Sequence, residues 1–230
     1  MATPGNVTAT LTFDDAVVTL DAAVRATARL DLALEPGELV LLDPGSPAHA
    51  ATVADACCGL VPPARGAVRF LGHDWSALAP DAANALRGRI GQTFAHGGWI
   101  EHLPVIDNVL LQQRHHHRGD DARLRAEAMR LAGHFGLPGV PLGYPREHSP
   151  SDLRRSACVR AFLGQPAVVL LDEPLAGEPG LLEPLVNAAL ATLARGAVVI
   201  WMTASRRIWR DASLPADRRL HLAGGTLVSD

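Results

Sequence analysis

The sequence predicts an α/β fold: a mainly parallel sheet covered by helices on both faces and interrupted by a helical insertion. Short aliphatic runs at 38–42, 167–172 and 197–203 have the texture of strands buried on both sides. Helix-like stretches alternate with them, and from 96 to about 163 the texture changes to helices separated by Gly and Pro.

Each element has a local reason. Segments 8–13 and 29–34 alternate apolar and polar residues, with Leu30, Leu32 and Leu34 on one side, the period of a half-buried strand. Pro36 and Gly37 make a turn before the run at 38–42. After a loop at 43–49, a helix is expected to reach Cys58 and stop at Gly59, which would serve as its C-terminal cap. Segments 67–71 and 89–94 read as strands. Helices are expected at 105–113, 121–135 and 151–163, separated by Gly136, Pro138, Pro141 and Pro145. Strand texture returns at 167–172, 197–203 and 218–222, with a helix at 181–194 and a hairpin-like Gly224-Gly225. No internal repeat or long low-complexity linker interrupts the pattern.

Composition narrows the function classes. The 230 residues are 48% hydrophobic, 20% charged and 4% aromatic, with a formal net charge of -3. That balance suits one globular unit and gives no general attraction to nucleic acid or to an acidic membrane. The 3 cysteines, two of them the neighbours Cys57 and Cys58, form no spaced disulfide framework, so a reducing compartment is expected. Residues 1–8 lack a basic and apolar leader, and no stretch approaches the roughly 18 apolar residues of a spanning helix. Membrane association is therefore expected to go through a partner.

All 21 basic residues are arginine. A mechanism that needs a lysine ammonium, such as a Schiff base or a phosphate-binding lysine, has no residue to use.

A series of segments then follows in a telling order: EPGELVLLD from Glu35, CCGLVPPARGAVRFLG, RIGQTFAHGG, VIDNVLL, RAFLGQPAVVLLDEPLAG, GAVVIWMT and ADRRLHLAGGTLV. The string resembles the ATP-binding subunit of ABC transporters over nearly the whole chain, and LLDEPLAG at 170–177 is especially similar to the family's Walker B region. The resemblance implies a P-loop NTPase fold: a RecA-like core with an antiparallel β subdomain and an inserted α-helical subdomain. It implies one domain over 1–230, with the core at 1–95 and 164–230 and the helical subdomain, including the signature region, at 96–163. Within the family, FAHGGWIEHLPVIDNV and SPSDLRRSACVRAF look most like subunits of bacterial lipid transporters that work with MCE substrate-binding proteins.

The family's motif positions carry unusual residues here. The phosphate loop G-x-x-G-x-G-K-S/T falls on 44–51, so Pro44, Pro47 and His49 stand at its glycines, Ala50 at its lysine and Ala51 at its Mg²⁺-binding hydroxyl. Glycines there supply positive φ and amides aimed at phosphate, whereas proline fixes φ and has no N–H. Thr52 is the remaining polar contact. Losing the ammonium, the metal ligand and one or two amides removes more than about 4 kcal/mol, on the order of a thousandfold in affinity. ATP and Mg²⁺ are therefore not expected to bind in the ordinary way, and no other metal or cofactor is expected.

The remaining positions follow the same trend. The adenine-stacking position falls near Leu20 and Asp21, the Q-loop glutamine at Ala95, the D-loop aspartate at Pro179 and the switch histidine at Ala204. The signature segment is His148, Ser149, Pro150, Ser151, Asp152. Ser149 as N-cap, Pro150 at the first helical position and Asp152 in the first turn suit a helix start. The Asp152 carboxylate would stand where the family's helix dipole faces a partner's γ-phosphate.

Asp172 and Glu173 persist at the Walker B aspartate and the general-base position. They admit two readings: a remnant of hydrolysis, or hydrogen-bonding carboxylates at a strand end. The second is favoured because a base needs a positioned phosphate and water.

Among other features, His115, His116 and His117 point in different directions on a helix and are expected to form a solvated turn rather than a metal site. Arg154, Arg155 and Arg160 are expected to cover surface or meet a partner. Trp99, with Ile100 and Leu103, is the expected partner contact, because the corresponding family region receives the permease's coupling helix.

The expected protein is a non-hydrolysing ABC-type subunit, a pseudo-ATPase with a structural or regulatory role in a membrane transporter, with lipid as the expected cargo. Its partners would be a permease, a second ATP-binding subunit or a copy of itself as dimer, and an MCE-type protein, placing it on the cytoplasmic face of the inner membrane. The alternatives are an active ATPase that uses Glu173 with unconventional phosphate contacts, and an interaction protein unrelated to transport.

Overall fold

The computed structural model describes residues 9–21, 26–116 and 120–230, with only the backbone of Asp21. Expectations that fall on 1–8, and on His117, Arg118 and Gly119, lie outside the described residues.

In chain order the first half holds β1 (Leu11–Asp21), β2 (Ala26–Leu34), β3 (Leu39–Asp43), α1 (Pro47–Cys57), β4 (Arg65–Phe70), β5 (His73–Asp74), α2 (Pro80–Arg87) and β6 (Ile90–Thr93). Three helices follow: α3 (Val105–His115), α4 (Asp121–His134) and α5 (Pro150–Phe162). The chain then forms β7 (Val168–Asp172), α6 (Leu182–Leu193), β8 (Val198–Met202), α7 (Arg206–Trp209), β9 (Arg218–Ala223) and β10 (Thr226–Ser229).

The strands make one 10-stranded sheet in the order β5-β4-β1-β2-β10-β9-β3-β8-β7-β6. From β9 to β6 all pairings are parallel, while β1 pairs antiparallel with both β2 and β4. The predicted parallel sheet is therefore half of a larger one.

The central strands are buried on both faces, so their residues alternate between two cores. Leu39, Leu41, Val169, Leu171, Val199 and Trp201 pack toward α3, α4, α5 and α6. Val40, Leu42, Val168, Leu170, Val198 and Ile200 pack toward α1 and the antiparallel strands. Each such side chain stabilises the fold by about 1.5–3 kcal/mol on burial. The ends of β3, β7 and β8 thus come together at one rim of the sheet, and the phosphate-loop positions, Asp172, Glu173 and Ala204 lie at or just after those ends.

Several boundaries differ from expectation for local reasons. Ser46 caps α1 and Pro47 opens it, so the helix begins inside the expected loop. Gly59, at φ +62, ends it as expected, and a Cβ there would strike the Trp75 ring. β1 runs on to Asp21 through irregularities between Phe13 and Ala16 and between Thr19 and Asp21, a continuation the alternation rule breaks at. Helix α2 was not expected at all. Its sequence carries Pro80 at the first position, Asp81 in the first turn and Arg87 in the last, the start and stop signals that would have found it.

Candidate functional site

The loop after β3 turns its polar groups inward. Pro44 and Pro47 have no N–H. Gly45, at φ +76, donates its N–H to Asp43 Oδ1 at 2.9 Å. The N–H of His49 donates to Ser46 Oγ at 3.2 Å, and that of Ala50 to the Ser46 carbonyl at 3.0 Å. His49 Nδ1 lies 3.0 Å from the Pro44 carbonyl oxygen. Ala50 is 1% exposed, so the lysine position faces the core. Ala51 is exposed with a bare methyl group. Thr52, the expected polar contact, instead donates its hydroxyl to the Ala48 carbonyl at 3.1 Å, one turn back in α1.

At the next strand ends lie the two acidic positions. Asp172 is 5% exposed. Its Oδ2 accepts the Ala95 N–H at 3.3 Å, and its own N–H donates to Thr93 Oγ1 at 3.0 Å. Its Oδ1 has no partner among the described residues, and burial pushes the carboxyl above its ordinary range, with the adjacent Glu173 charge adding to the shift. Glu173 sits at φ +40, a region that costs a non-glycine residue strain. Its two side-chain oxygens offset that strain. Oε2 accepts from the Thr203 hydroxyl at 2.9 Å and Oε1 from the Ala204 N–H at 2.7 Å. The general-base and switch positions are therefore bonded to each other. Pro179 opens a single helical turn nearby.

The signature segment follows its local rules. Ser149 caps α5, accepting the Asp152 N–H at 3.1 Å and donating its hydroxyl to Asp152 Oδ2 at 2.8 Å. Pro150 takes the first helical position, and Ser151 Oγ accepts from Arg155 Nε at 3.4 Å.

The three arginines of α5 are half-buried and bond to backbone carbonyls, and Arg160 also lines the groove described below. Arg154 donates to the Phe94 carbonyl at 3.4 Å and the Ala95 carbonyl at 3.0 Å. Arg155 joins the Phe135 carbonyl at 2.6 Å and Glu178 at 3.1 Å. Arg160 holds the carbonyls of Gly97 at 2.7 Å and Gly98 at 2.9 Å, with its guanidinium over the rings of Trp99 and Phe94. Burial lowers the Arg160 pKa to about 10. A Cβ at Gly91 would collide with the Ala161 backbone carbonyl, so β6 and α5 approach closely where these clamps act.

Trp99, Ile100 and Leu103 are half-buried rather than freely exposed. Beside them runs a groove of about 450 Å³, walled by Leu60, Arg87, Phe94, Ile100, Leu111 and Arg160 among others. Leu60 is 58% exposed, Leu111 41% and Phe94 40%. Sequence reasoning found Ile100 but not Leu60 or Leu111, which stand out only because α1 and α3 end on either side of the groove. Leu20 packs partly into the core below β1, and the Asp21 side chain lies outside the described residues. His115 Nε2 lies 3.1 Å from Asn84 Nδ2, and His115 and His116 meet edge to face. No cluster of potential metal ligands occurs among the described residues. Nor is any helix among them long and apolar enough to cross a membrane.

A family model described as ABC transporter matches residues 27–176. The chain is similar to the lipoprotein-releasing system ATP-binding protein LolD of Pseudomonas syringae pv. tomato, 32% identical over 208 residues, covering 86% of this chain and 87% of that protein. It is similar to the cell division ATP-binding protein FtsE of Escherichia coli K12, 29% identical over 195 residues, covering 82% and 86%. With the sulfate/thiosulfate import ATP-binding protein CysA of Bordetella pertussis it is 32% identical over 155 residues, 66% of this chain, and it spans only 42% of that relative's length. Among solved structures, the dimeric structure of MJ0796, a bacterial ABC transporter cassette, superposes with a TM-score of 0.80 at 19% identity, covering 94% of this chain and 96% of that one. The fold is the expected P-loop NTPase cassette, with its curled mixed sheet and flanking helices.

Proposed function

The chain belongs to the ABC transporter family, and we propose that within it this protein is a non-hydrolysing ATP-binding-type subunit, a structural or regulatory component of a membrane transporter for lipids. One observation carries the reading: Glu173, at the general-base position, has both carboxylate oxygens bonded to Thr203 and Ala204. These bonds hold the carboxylate against the loop after β8, and residues 44–51 offer no cradle to position a phosphate and a water against its remaining lone pairs.

The phosphate-loop positions support the same conclusion. ATP and Mg²⁺ do not fit residues 44–51. No ammonium or hydroxyl stands at Ala50 or Ala51, two positions lack an N–H, that of Gly45 is taken by Asp43, and those of His49 and Ala50 are taken by the Ser46 cap of α1. Asp152 at the signature position brings a carboxylate where a partner's phosphate would sit. In a dimer, with itself or with another ATP-binding subunit, this chain would therefore contribute neither half of a working site.

The domain is read as one cassette over 1–230, with its helical part at 96–163. Its partner is a permease. The groove between Leu60, Phe94 and Leu111 offers apolar anchors beside Arg87, the chemistry of an amphipathic cytoplasmic helix. Docking there would hold the protein on the cytoplasmic face of the inner membrane. Lipid cargo, with an MCE-type protein in the same complex, rests on the segments 94–109 and 149–162 and is favoured by the likeness to a lipoprotein-releasing system protein.

The test is purification of the tagged chain from detergent-solubilised membranes. A multi-span permease should be retained with it and lost from Leu60→Asp with Leu111→Asp. Recovery without any permease, or equal retention by the double variant, overturns the docking assignment.

A further inference from the structure

A second cleft lies between α7 and the ends of β3 and β9. It encloses about 530 Å³, within the ~300–1,000 Å³ of ordinary small-molecule sites. Its walls hold the carboxylates of Asp43 and Asp230, the guanidiniums of Arg206 and Arg210, and the rings of Trp209 and His221.

The carboxylates are engaged. Asp43 Oδ1 accepts the Gly45 N–H, and its Oδ2 lies 3.7 Å from His221 Nδ1. Asp230 accepts from Trp209 Nε1 and sits 2.6 Å from His221 Nε2, contacts that hold its carboxyl below the ordinary range. The Trp209 and His221 rings lie 4.2 Å apart with a 30° tilt, so the aromatic wall is fixed by the same contacts.

The guanidiniums are not engaged. Arg206 opens α7 and Arg210, its C-terminal cap, follows four residues later; both are exposed. Among the described residues neither side chain has a hydrogen-bonded or ionic partner. Arg207, between them in sequence, lines a different pocket beside Glu173.

We propose that this cleft, which Ala204 at the switch position also lines but none of residues 44–51 does, binds a phosphate-bearing anion through Arg206 and Arg210. Two planar guanidinium forks present paired N–H donors that match phosphate oxygens. Their two positive charges are balanced by one phosphate dianion, whereas a single carboxylate would leave one fork unneutralised. The engaged carboxylates hold the walls and leave the Arg206–Arg210 side positive. The source of the phosphate dianion, whether soluble or a phosphomonoester lipid headgroup, does not alter this chemistry, and the test separates the two.

Titration calorimetry on the full chain without magnesium uses inorganic phosphate and AMP as soluble probes, and sedimentation uses vesicles containing phosphatidic acid against phosphatidylcholine. The expected result is saturable binding of at least one phosphate-bearing probe, weakened at least about tenfold in Arg206→Ala with Arg210→Ala and unchanged in Arg207→Ala. Phosphate or AMP binding assigns a soluble ligand. Binding of phosphatidic acid vesicles alone, abolished by the double variant, assigns a headgroup. Arg206→Gln with Arg210→Gln keeps the side-chain stems and replaces the alanine pair if circular dichroism shows that pair misfolded. No saturable binding of any probe, or binding that survives the double variants, overturns the proposal.

Discussion

The backbone N–H of Ala204 donates to Glu173 Oε1 at 2.7 Å, joining the position of a switch histidine to the position of a general base. In this chain the link is structural. It fixes the loop after β8 against the end of β7 and helps hold Glu173 in its left-handed conformation. Glu173→Ala should lower stability by about 1–3 kcal/mol in chemical denaturation, and Thr203→Val by about 1 kcal/mol. A Glu173→Ala variant as stable as the native chain would show that the bonds are incidental.

Restoring side chains alone should not restore chemistry. Ala50→Lys with Ala51→Ser supplies an ammonium and a hydroxyl, yet Pro44 and Pro47 still lack N–H groups, and Ala50 is 1% exposed in the core. The double variant should be less stable than the native chain by about 1–3 kcal/mol and should release no phosphate from ATP. Turnover in a phosphate-release assay would show that backbone geometry matters less than the side chains.

Arg160 binds the segment 94–100 to α5. Arg160→Ala removes charge-assisted bonds to Gly97 and Gly98 and the cation above Trp99 and Phe94. Stability should fall by about 1.5–3 kcal/mol, and amide hydrogen exchange should accelerate in 94–100 while α6 stays protected. Uniform acceleration across the chain would contradict a local clamp.

Two carboxylates should give opposite pH signatures. Burial raises the Asp172 pKa above 3.8, so the folded state holds that proton more tightly. Its stabilising contribution is complete at lower pH and is lost as pH rises from 3.8 through the folded value. Hydrogen bonds from Arg114 and Arg125 lower Asp121 to about 2, so its contribution is present above 3.8 and lost as pH falls toward 2. Denaturation across acid pH should show Asp172→Asn removing the first trend and Asp121→Asn the second. If each Asn variant retains its parent trend, these assignments are wrong.

The parallel half of the sheet was legible because β3, β7 and β8 are aliphatic runs that only a doubly covered strand produces. The caps at Gly59 and Ser149 were legible because each answers a local backbone need. The continuation of β1 was not, since its irregularities shift the alternation that marks a strand. At the site, the replaced residues could be read directly, but their substitutes' bonds could not. Nothing in the spacing of Glu173 and Ala204 shows that a side chain and a backbone amide from different strand ends will meet. The bonding of Arg154, Arg155 and Arg160 likewise depends on carbonyls far away in sequence, at Ala95, Phe135 and Gly97.

The most direct measurement is Mg-ATP calorimetry paired with phosphate release on the Arg206→Ala, Arg210→Ala chain, in which the α7 cleft cannot contribute. The expected result is no saturable heat at micromolar nucleotide and no phosphate above the enzyme-free rate. Micromolar binding followed by phosphate release that Glu173→Gln abolishes would contradict the account and make this chain a working ATPase.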